Sequence, residues 1–348
     1  MSDYNYLNTR LKYLKKDLFS RARFEELMGC DSFEALKRFF LDSPYAASVS
    51  QALSSAEGME GLQIGLSRHV HSRFQKILGW TGTGEPPRRL LELIFRRYEL
   101  HNVKTLLRGK NARIPEEKLF QAFIPVGELG MEELRELSKQ PSLRESLSLL
   151  ANWHKPLRPV LRRGLGSIKE ESADLQNLEL ELDRYYYQGI LQSLSEETEQ
   201  ENAEKVKLLI QIELDRTNLS TSLRIGQTLK KEELAHLLLE GGRLTKDFFI
   251  ALVANMTLSE VSQKLETTYL SPVVRPWDRV GLTSLEHRFE TFLVDLSHQM
   301  EREDPLSIGV ALSYIALQTN ELRNLRTILQ GKTFSLSEEK IKTEAFLV

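Results

Sequence analysis

One cysteine, Cys30, stands among 348 residues. It has no partner for an internal disulfide, and such a chain fits a reducing compartment. Neither sign of charge dominates: 47 Lys and Arg face 49 Asp and Glu, for a net charge of −2. Nothing global therefore draws the chain to nucleic acid or to an anionic membrane. Long apolar runs are missing too, since the most apolar stretch, Leu306 to Leu317, falls short of the roughly 20 residues that cross a bilayer. Met1-Ser2-Asp3-Tyr4 opens no secretory leader, so the cytoplasm is the expected compartment. Catalytic signatures are equally scarce. Gly82-Thr83-Gly84 runs into Glu85-Pro86-Pro87, and Gly164-Leu165-Gly166-Ser167 lacks the Lys and the spacing of a phosphate-binding loop. There is no Asp-rich helix pair, nucleophile elbow or zinc-protease helix. His69 and His71, two apart on a helix, point to different faces and share no metal. Cys30 reads as a packed thiol rather than a reactive one. These gaps argue against an enzyme, and no cofactor, metal or small-molecule substrate is expected.

What is present is a globular composition, 41% hydrophobic and 28% charged, and a repeat. Asn320-Glu321-Leu322-Arg323-Asn324-Leu325-Arg326-Thr327-Ile328-Leu329-Gln330-Gly331-Lys332 has a close relative in Glu99-Leu100-His101-Asn102-Val103-Lys104-Thr105-Leu106-Leu107-Arg108-Gly109-Lys110. A weaker copy runs from Asp215-Arg216-Thr217-Asn218 to Gly226. Relative to Asn102, Asn218 and Asn324, an acid stands at −3 (Glu99, Asp215, Glu321) and Thr at +3 (Thr105, Thr221, Thr327). Lys104 and Arg326 occupy +2, where the middle copy has Ser220. A pair of glutamates follows at +14 and +15: Glu116-Glu117, Glu232-Glu233 and Glu338-Glu339. Spacings of 116 and 106 residues make the repeat the size of a small domain.

Apolar residues at −2, +1, +4 and +5 place each copy in the last turns of a helix. The −3 acid lies inside the apolar arc and points toward a core, where a carboxylate must be paired or hydrogen-bonded. The motif thus reads as a fold-holding corner, with the acid tied to backbone donors or a basic side chain. Gly109, Gly226 and Gly331 read as helix stops. Short helices punctuate the chain between long pairs at 62–80 and 90–109, 175–194 and 201–223, and 284–302 and 305–330. Ser48 to Gly61 and the Pro- and Gly-punctuated run from Trp153 to Gly166 read as connections, and Asp304-Pro305 as a turn with Pro at a first helical position. The expected division is 1–98, 99–214, 215–320 and 321–348, with the last piece completing the unit opened at the N-terminus. Nearly the whole chain should be helical.

Asp304-Pro305-Leu306-Ser307-Ile308-Gly309-Val310-Ala311-Leu312-Ser313-Tyr314-Ile315, leading into Glu321, Asn324, Arg326, Ile328, Gly331 and Lys332, resembles the C-terminal signature of the C subunit of bacterial and archaeal A/V-type ATP synthases. The eukaryotic relative is the d subunit of V-ATPases. Tyr6-Leu7-Asn8-Thr9-Arg10, Leu100-His101-Asn102-Val103-Lys104 and Gly241-Gly242-Arg243 extend the resemblance over nearly the whole chain. Gln318, where the family pattern leads one to expect Lys, and Ser220 depart from it. The resemblance implies an all-α, funnel-like body of three similar helical domains with pseudo-threefold symmetry. It implies a non-catalytic coupling subunit on the cytoplasmic face, with the central-stalk subunits and the membrane proteolipid ring as partners. A free-standing helical adaptor is the alternative reading. Lys155, Arg158, Arg162 and Arg163 form the one clustered basic stretch; they read either as a solvated loop or as contacts to an acidic partner or lipid headgroups. Of Tyr185-Tyr186-Tyr187, packing accounts for two.

Overall fold

Helix starts are written locally in this chain. Ser20, Ser32 and Ser337 each accept a hydrogen bond from the backbone three residues on. Ser142 with Glu145, and Thr257 with Glu260, form reciprocal capping boxes. The computed structural model that these signals produce describes residues 4–345 apart from 125, 127–128, 168–174, 254–256 and 275–281. It is all-α: among the described residues the only extended pairing is an isolated bridge between Val126 and Leu129.

The chain forms two compact units, one of residues 1–182 and 314–348, the other of 183–313. The first begins with α1 (Asn5–Leu14), α2 (Arg21–Met28), α3 (Phe33–Leu41) and α4 (Ala46–Leu53), followed by the long α5 (Gly58–Gly79) and α6 (Pro86–Asn111). Short helices α7 (Glu116–Ala122), α8 (Met131–Lys139), α9 (Leu143–Trp153) and α10 (Arg158–Ser167) come next. The chain leaves this unit within α11 (Leu175–Ser195). The second unit holds α12 (Gln200–Ile225), α13 (Lys231–Leu237), α14 (Lys246–Val253), α15 (Leu258–Glu266), α16 (Ser271–Val274) and α17 (Leu282–Glu303). Its core gathers Ile212 and Leu219 of α12 with Phe249, Leu265 and Phe289. Within α18 (Gly309–Thr333) the chain re-enters the first unit, and α19 (Glu338–Glu344) ends it.

Several boundaries differ from the sequence reading. The stretch after Ser48 is helical through Leu53, because Val49 and Ala52 bury against α5, where Gly65 leaves no room for a side chain beside Val49. Pro86 and Pro87 lie inside the first turn of α6, where their missing N–H groups cost nothing. The Pro- and Gly-rich run expected as a connection contains α10, and Gly164 lets Leu178 approach it closely. Conversely α18 starts at Gly309, since Asp304 to Ser307 form a turn closed by Asp304 carboxylate and carbonyl oxygens. In the sequence Pro272, Pro276 and Gly281 also read as breaks; Pro272 lies inside α16, and Pro276 and Gly281 lie outside the described residues. Tyr186 and Tyr187 are buried and Tyr185 is exposed.

Candidate functional site: three buried acid and amide locks

The repeat motif falls near the C-terminal ends of α6, α12 and α18, and all three acids are buried. Each is held in a different way. Asp215 of α12 sits in a loop made for it: Gly241 takes a positive φ of 100°, and a side chain on Gly242 would collide with the carboxylate. The N–H groups of Arg243 (3.0 Å) and Leu244 (3.1 Å) then donate to Asp215, as does the Tyr269 hydroxyl at 2.6 Å. The Arg243 guanidinium lies 4.3 Å from the Tyr269 ring centre and braces it. Burial outweighs these donors and pushes the Asp215 carboxyl up to about 6.

Glu321 of α18 accepts from the Phe19 N–H and, at 2.6 Å, from the Tyr45 hydroxyl. Gln318 donates to the Tyr45 oxygen (3.2 Å) and to Glu321 (3.4 Å) while accepting from Tyr314 (2.9 Å). His69 packs against the Tyr45 ring, with centres 4.0 Å apart, and accepts from Arg73 Nε at 3.1 Å, which leaves its proton on Nδ1. Burial takes the His69 pKa down to about 3 and the Glu321 pKa up to about 7. Glu99 of α6 faces His154 Nε2 at 3.1 Å. Because the Leu157 N–H donates to His154 Nδ1 (3.3 Å), Nε2 is the ring nitrogen left to donate its hydrogen bond to Glu99.

The amides act as a second set of clamps. Asn102 donates to the Ile124 carbonyl (2.7 Å) and accepts from the Ile124 N–H (2.8 Å). Asn218 does the same to Leu239, at 2.9 and 2.8 Å. One side chain thus satisfies both backbone groups of a residue where a short helix ends. Asn324 is buried; the 22- and 21-residue distances of the other two copies fall at position 346, outside the described residues, and at Ala345, the last of them. At +2, Arg326 donates to the Ser67 hydroxyl (2.8 Å) and the Phe123 carbonyl (2.7 Å), and burial lowers its pKa to about 10. Lys104 is half-buried. The glutamate pairs fall in the first turns of α7, α13 and α19, where negative charge suits the helix dipole.

The glycines do not act as left-handed stops. Gly109 and Gly331 lie within α6 and α18, and Gly226 has a φ of −62°. A Cβ on them would come within 2.4 Å of Leu119, 2.5 Å of Ile341 and 2.7 Å of Val253, respectively. They are small so that the returning chain can pack on the helix. The left-handed residues are Arg113 (φ 54°) and Ser335 (φ 52°), both 11 positions after the motif Asn. In each case the next N–H, of Ile114 or Leu336, reaches back to the glycine carbonyl at 2.9 Å, closing a Schellman cap.

The basic stretch is divided in use. Arg158 donates to the Ala151 (2.8 Å) and Asn152 (2.9 Å) carbonyls at the end of α9, Arg163 lies 3.7 Å from Glu181, and Lys155 and Arg162 are exposed. Among the described residues, no group of three or more His, Cys, Asp or Glu is placed to hold a metal ion, and no helix is long and apolar enough to cross a membrane.

Sequence reasoning does not find Phe19, Tyr45, His154 and Tyr269 as the acids' partners. A signal exists: Phe19 and Tyr45 are 26 residues apart, as are Arg243 and Tyr269, and each pair supplies one backbone N–H and one tyrosine hydroxyl to its acid.

An all-helical frame in which one acid and amide corner recurs defines an internally repeated helical protein whose most deeply buried polar groups tie it to itself. Residues 7–344 match the family model described as ATP synthase (C/AC39) subunit, and the chain belongs to that family. It is 27% identical over 352 residues to the C subunit of the A-type ATP synthase of Methanosarcina barkeri, covering 100% of this chain and 94% of that one. The Methanosarcina mazei protein of the same name is also 27% identical, with 100% and 94% coverage. That of Methanocaldococcus jannaschii is 23% identical, with 99% and 86% coverage.

Proposed function

We propose that the protein is a non-catalytic coupling subunit of an A/V-type rotary ATPase. It joins the central stalk to the membrane proteolipid ring on the cytoplasmic face and carries torque between ion flow and ATP chemistry. The observation that carries this reading is the end-to-end correspondence with chains named as the C subunit of A-type ATP synthases. The repeat supports it. The third copy of the motif finds its partners at the start of the chain, through Phe19 and Tyr45, in the way the second finds Arg243 and Tyr269 downstream. We take this as three similar units with the first divided between the two ends of the chain, a plan suited to seating a rotationally symmetric ring. Internal locks of buried acid and amide give such a body stiffness, which torque transmission needs. Lys155 and Arg162, with exposed cationic heads, are assigned to an acidic partner surface, where they act mainly on association rate.

The test is co-elution in size exclusion after mixing the purified protein with detergent-solubilised proteolipid ring and, separately, with central-stalk subunits. Binding to both is expected, and Lys155→Glu with Arg162→Glu slows association most at low salt. Binding to neither, under conditions where the native subunits assemble, overturns the coupling role in favour of a helical adaptor with another protein partner.

A further inference from the structure

The outward face of α1 stands apart from the rest of the surface. Leu7, Leu11 and Leu14 bury its inner side, so the helix is held rigidly and presents Tyr6, Arg10, Lys12 and Tyr13 to solvent. Tyr6 is 53% and Tyr13 68% exposed. The Arg10 guanidinium stands 4.5 Å from the Tyr6 ring centre and 5.3 Å from that of Trp80, and Lys16 Nζ lies 5.9 Å from the Tyr13 ring. From Tyr4 to Lys16 the sequence has Arg10, Lys12, Lys15 and Lys16 and no acid. Elsewhere, exposed basic residues on helices find carboxylates one turn away, as in Arg21 with Glu25, Lys139 with Glu136 and Lys342 with Glu338. Among the described residues Arg10, Lys12 and Lys16 have no such partner, and the one nearby acid, Asp17, is bound to Arg73 at 2.6 Å.

We infer that this face of α1, with Trp80 beside it, is a contact for a membrane surface carrying anionic lipid headgroups. Tyrosine and tryptophan rings with polar tips, interleaved with cationic side chains, suit the depth where headgroups meet water. The aliphatic residues of α1 are committed to the core, so contact is made at headgroup level and the helix does not insert. Size favours lipid over a protein partner. A ten-residue helix is about 15 Å long and about 10 Å across, so its face offers roughly 150 Å², far short of the roughly 800 Å² per side that a stable protein interface uses. A headgroup surface instead attracts each Lys or Arg separately, so a small patch of unpaired cations suffices. The inference stands apart from the coupling role, because the binding it describes requires no ATPase partner.

The test is co-sedimentation of the purified full chain with sucrose-loaded vesicles of phosphatidylcholine alone, or with about one third phosphatidylglycerol, at low and high salt. Binding is expected only to the anionic vesicles, and raising salt from about 0.05 M to about 0.5 M abolishes it as the Debye length shortens. The triple variant Arg10→Gln, Lys12→Gln, Lys16→Gln should weaken binding on the order of tenfold or more, and Tyr6→Ser with Tyr13→Ser should weaken it several-fold, with thermal melts unchanged in both. Lys118→Gln with Lys139→Gln, altering exposed helical lysines elsewhere, should have no effect. No sedimentation with anionic vesicles overturns the inference, as does sedimentation that the triple variant leaves intact. Loss of ring or stalk co-elution in the triple variant, without vesicle binding by the unaltered chain, also overturns it and gives the face to a protein partner.

Discussion

A carboxylate in a helical core is the most consequential residue in this fold, because neutral hydrogen-bond donors hold it. Glu321 receives a backbone N–H, a tyrosine hydroxyl and a glutamine amide, and burial nonetheless raises its pKa to about 7. A raised carboxyl pKa means that the folded state takes up protons the unfolded chain would release. Its stabilising effect is therefore complete below the unfolded value near 4.5 and is lost as pH rises through about 7. Melts of the native protein and of Glu321→Gln should diverge with pH: relative to the variant, the native protein gains up to about 3 kcal/mol on going from pH 8 to pH 4.5. A constant difference across that range would refute the assignment. Glu321→Ala leaves the Tyr45 hydroxyl and the Phe19 N–H short of an acceptor and should cost roughly 2–4 kcal/mol. Gln318→Lys places an ammonium near Glu321 and should remove most of the pH dependence by favouring the charged carboxylate, as seen in the same melts. That Glu99, Asp215 and Glu321 point inward is legible from their place in the apolar arc. Which groups answer them is not, because Phe19 and Tyr45 lie about 300 residues from Glu321 in sequence and no local pattern connects them.

At the scale of the helix, ends are decided by what packs on them. The long amphipathic helices are visible from periodicity, but their limits move where tertiary packing overrides a local signal, as at Val49 and Arg158, and where a local turn or proline sets the start, as at Gly309 and Pro86. The clearest instance is the corner after α6 and α18, where the sequence pattern makes glycine the stop. Its smallness serves Leu119 and Ile341, and the strained conformation falls to Arg113 and Ser335. Two substitutions should therefore move in opposite directions. Ser335→Gly relieves a left-handed side chain and should raise stability by about 0.5–1 kcal/mol. Gly331→Ala drives a methyl into Ile341 and should lower it by about 1–3 kcal/mol. Urea unfolding midpoints at constant slope measure both, and a stabilised Gly331→Ala would show that Ile341 leaves room for a methyl there and that the glycine is not needed for close packing.

For the molecule as a whole, sequence repetition and compactness divide the chain differently: three motif copies, but two compact units. The locks are internal to these units, so their loss should be felt locally. In native-state hydrogen exchange, Asp215→Ala should speed exchange mainly within 183–313, and Glu321→Ala mainly within 4–182. A uniform rise in both would show one cooperative body. The three copies are legible because each keeps its acid, amide and glutamate pair at fixed spacing; that the closing copy serves the beginning of the chain is legible only as an unfinished last unit. The discontinuity of the first unit also sets an order of events during translation. Residues 183–308 are made before α18, and at about 5–20 residues per second the N-terminal helices wait for tens of seconds, the time to add the 276 residues from Tyr45 to Glu321, with Tyr45 and Phe19 lacking their acceptor. A stop codon shortly before Glu321 would thus release a finished insert attached to an unsealed host, a species whose exposed core helices mark it for chaperones and proteases.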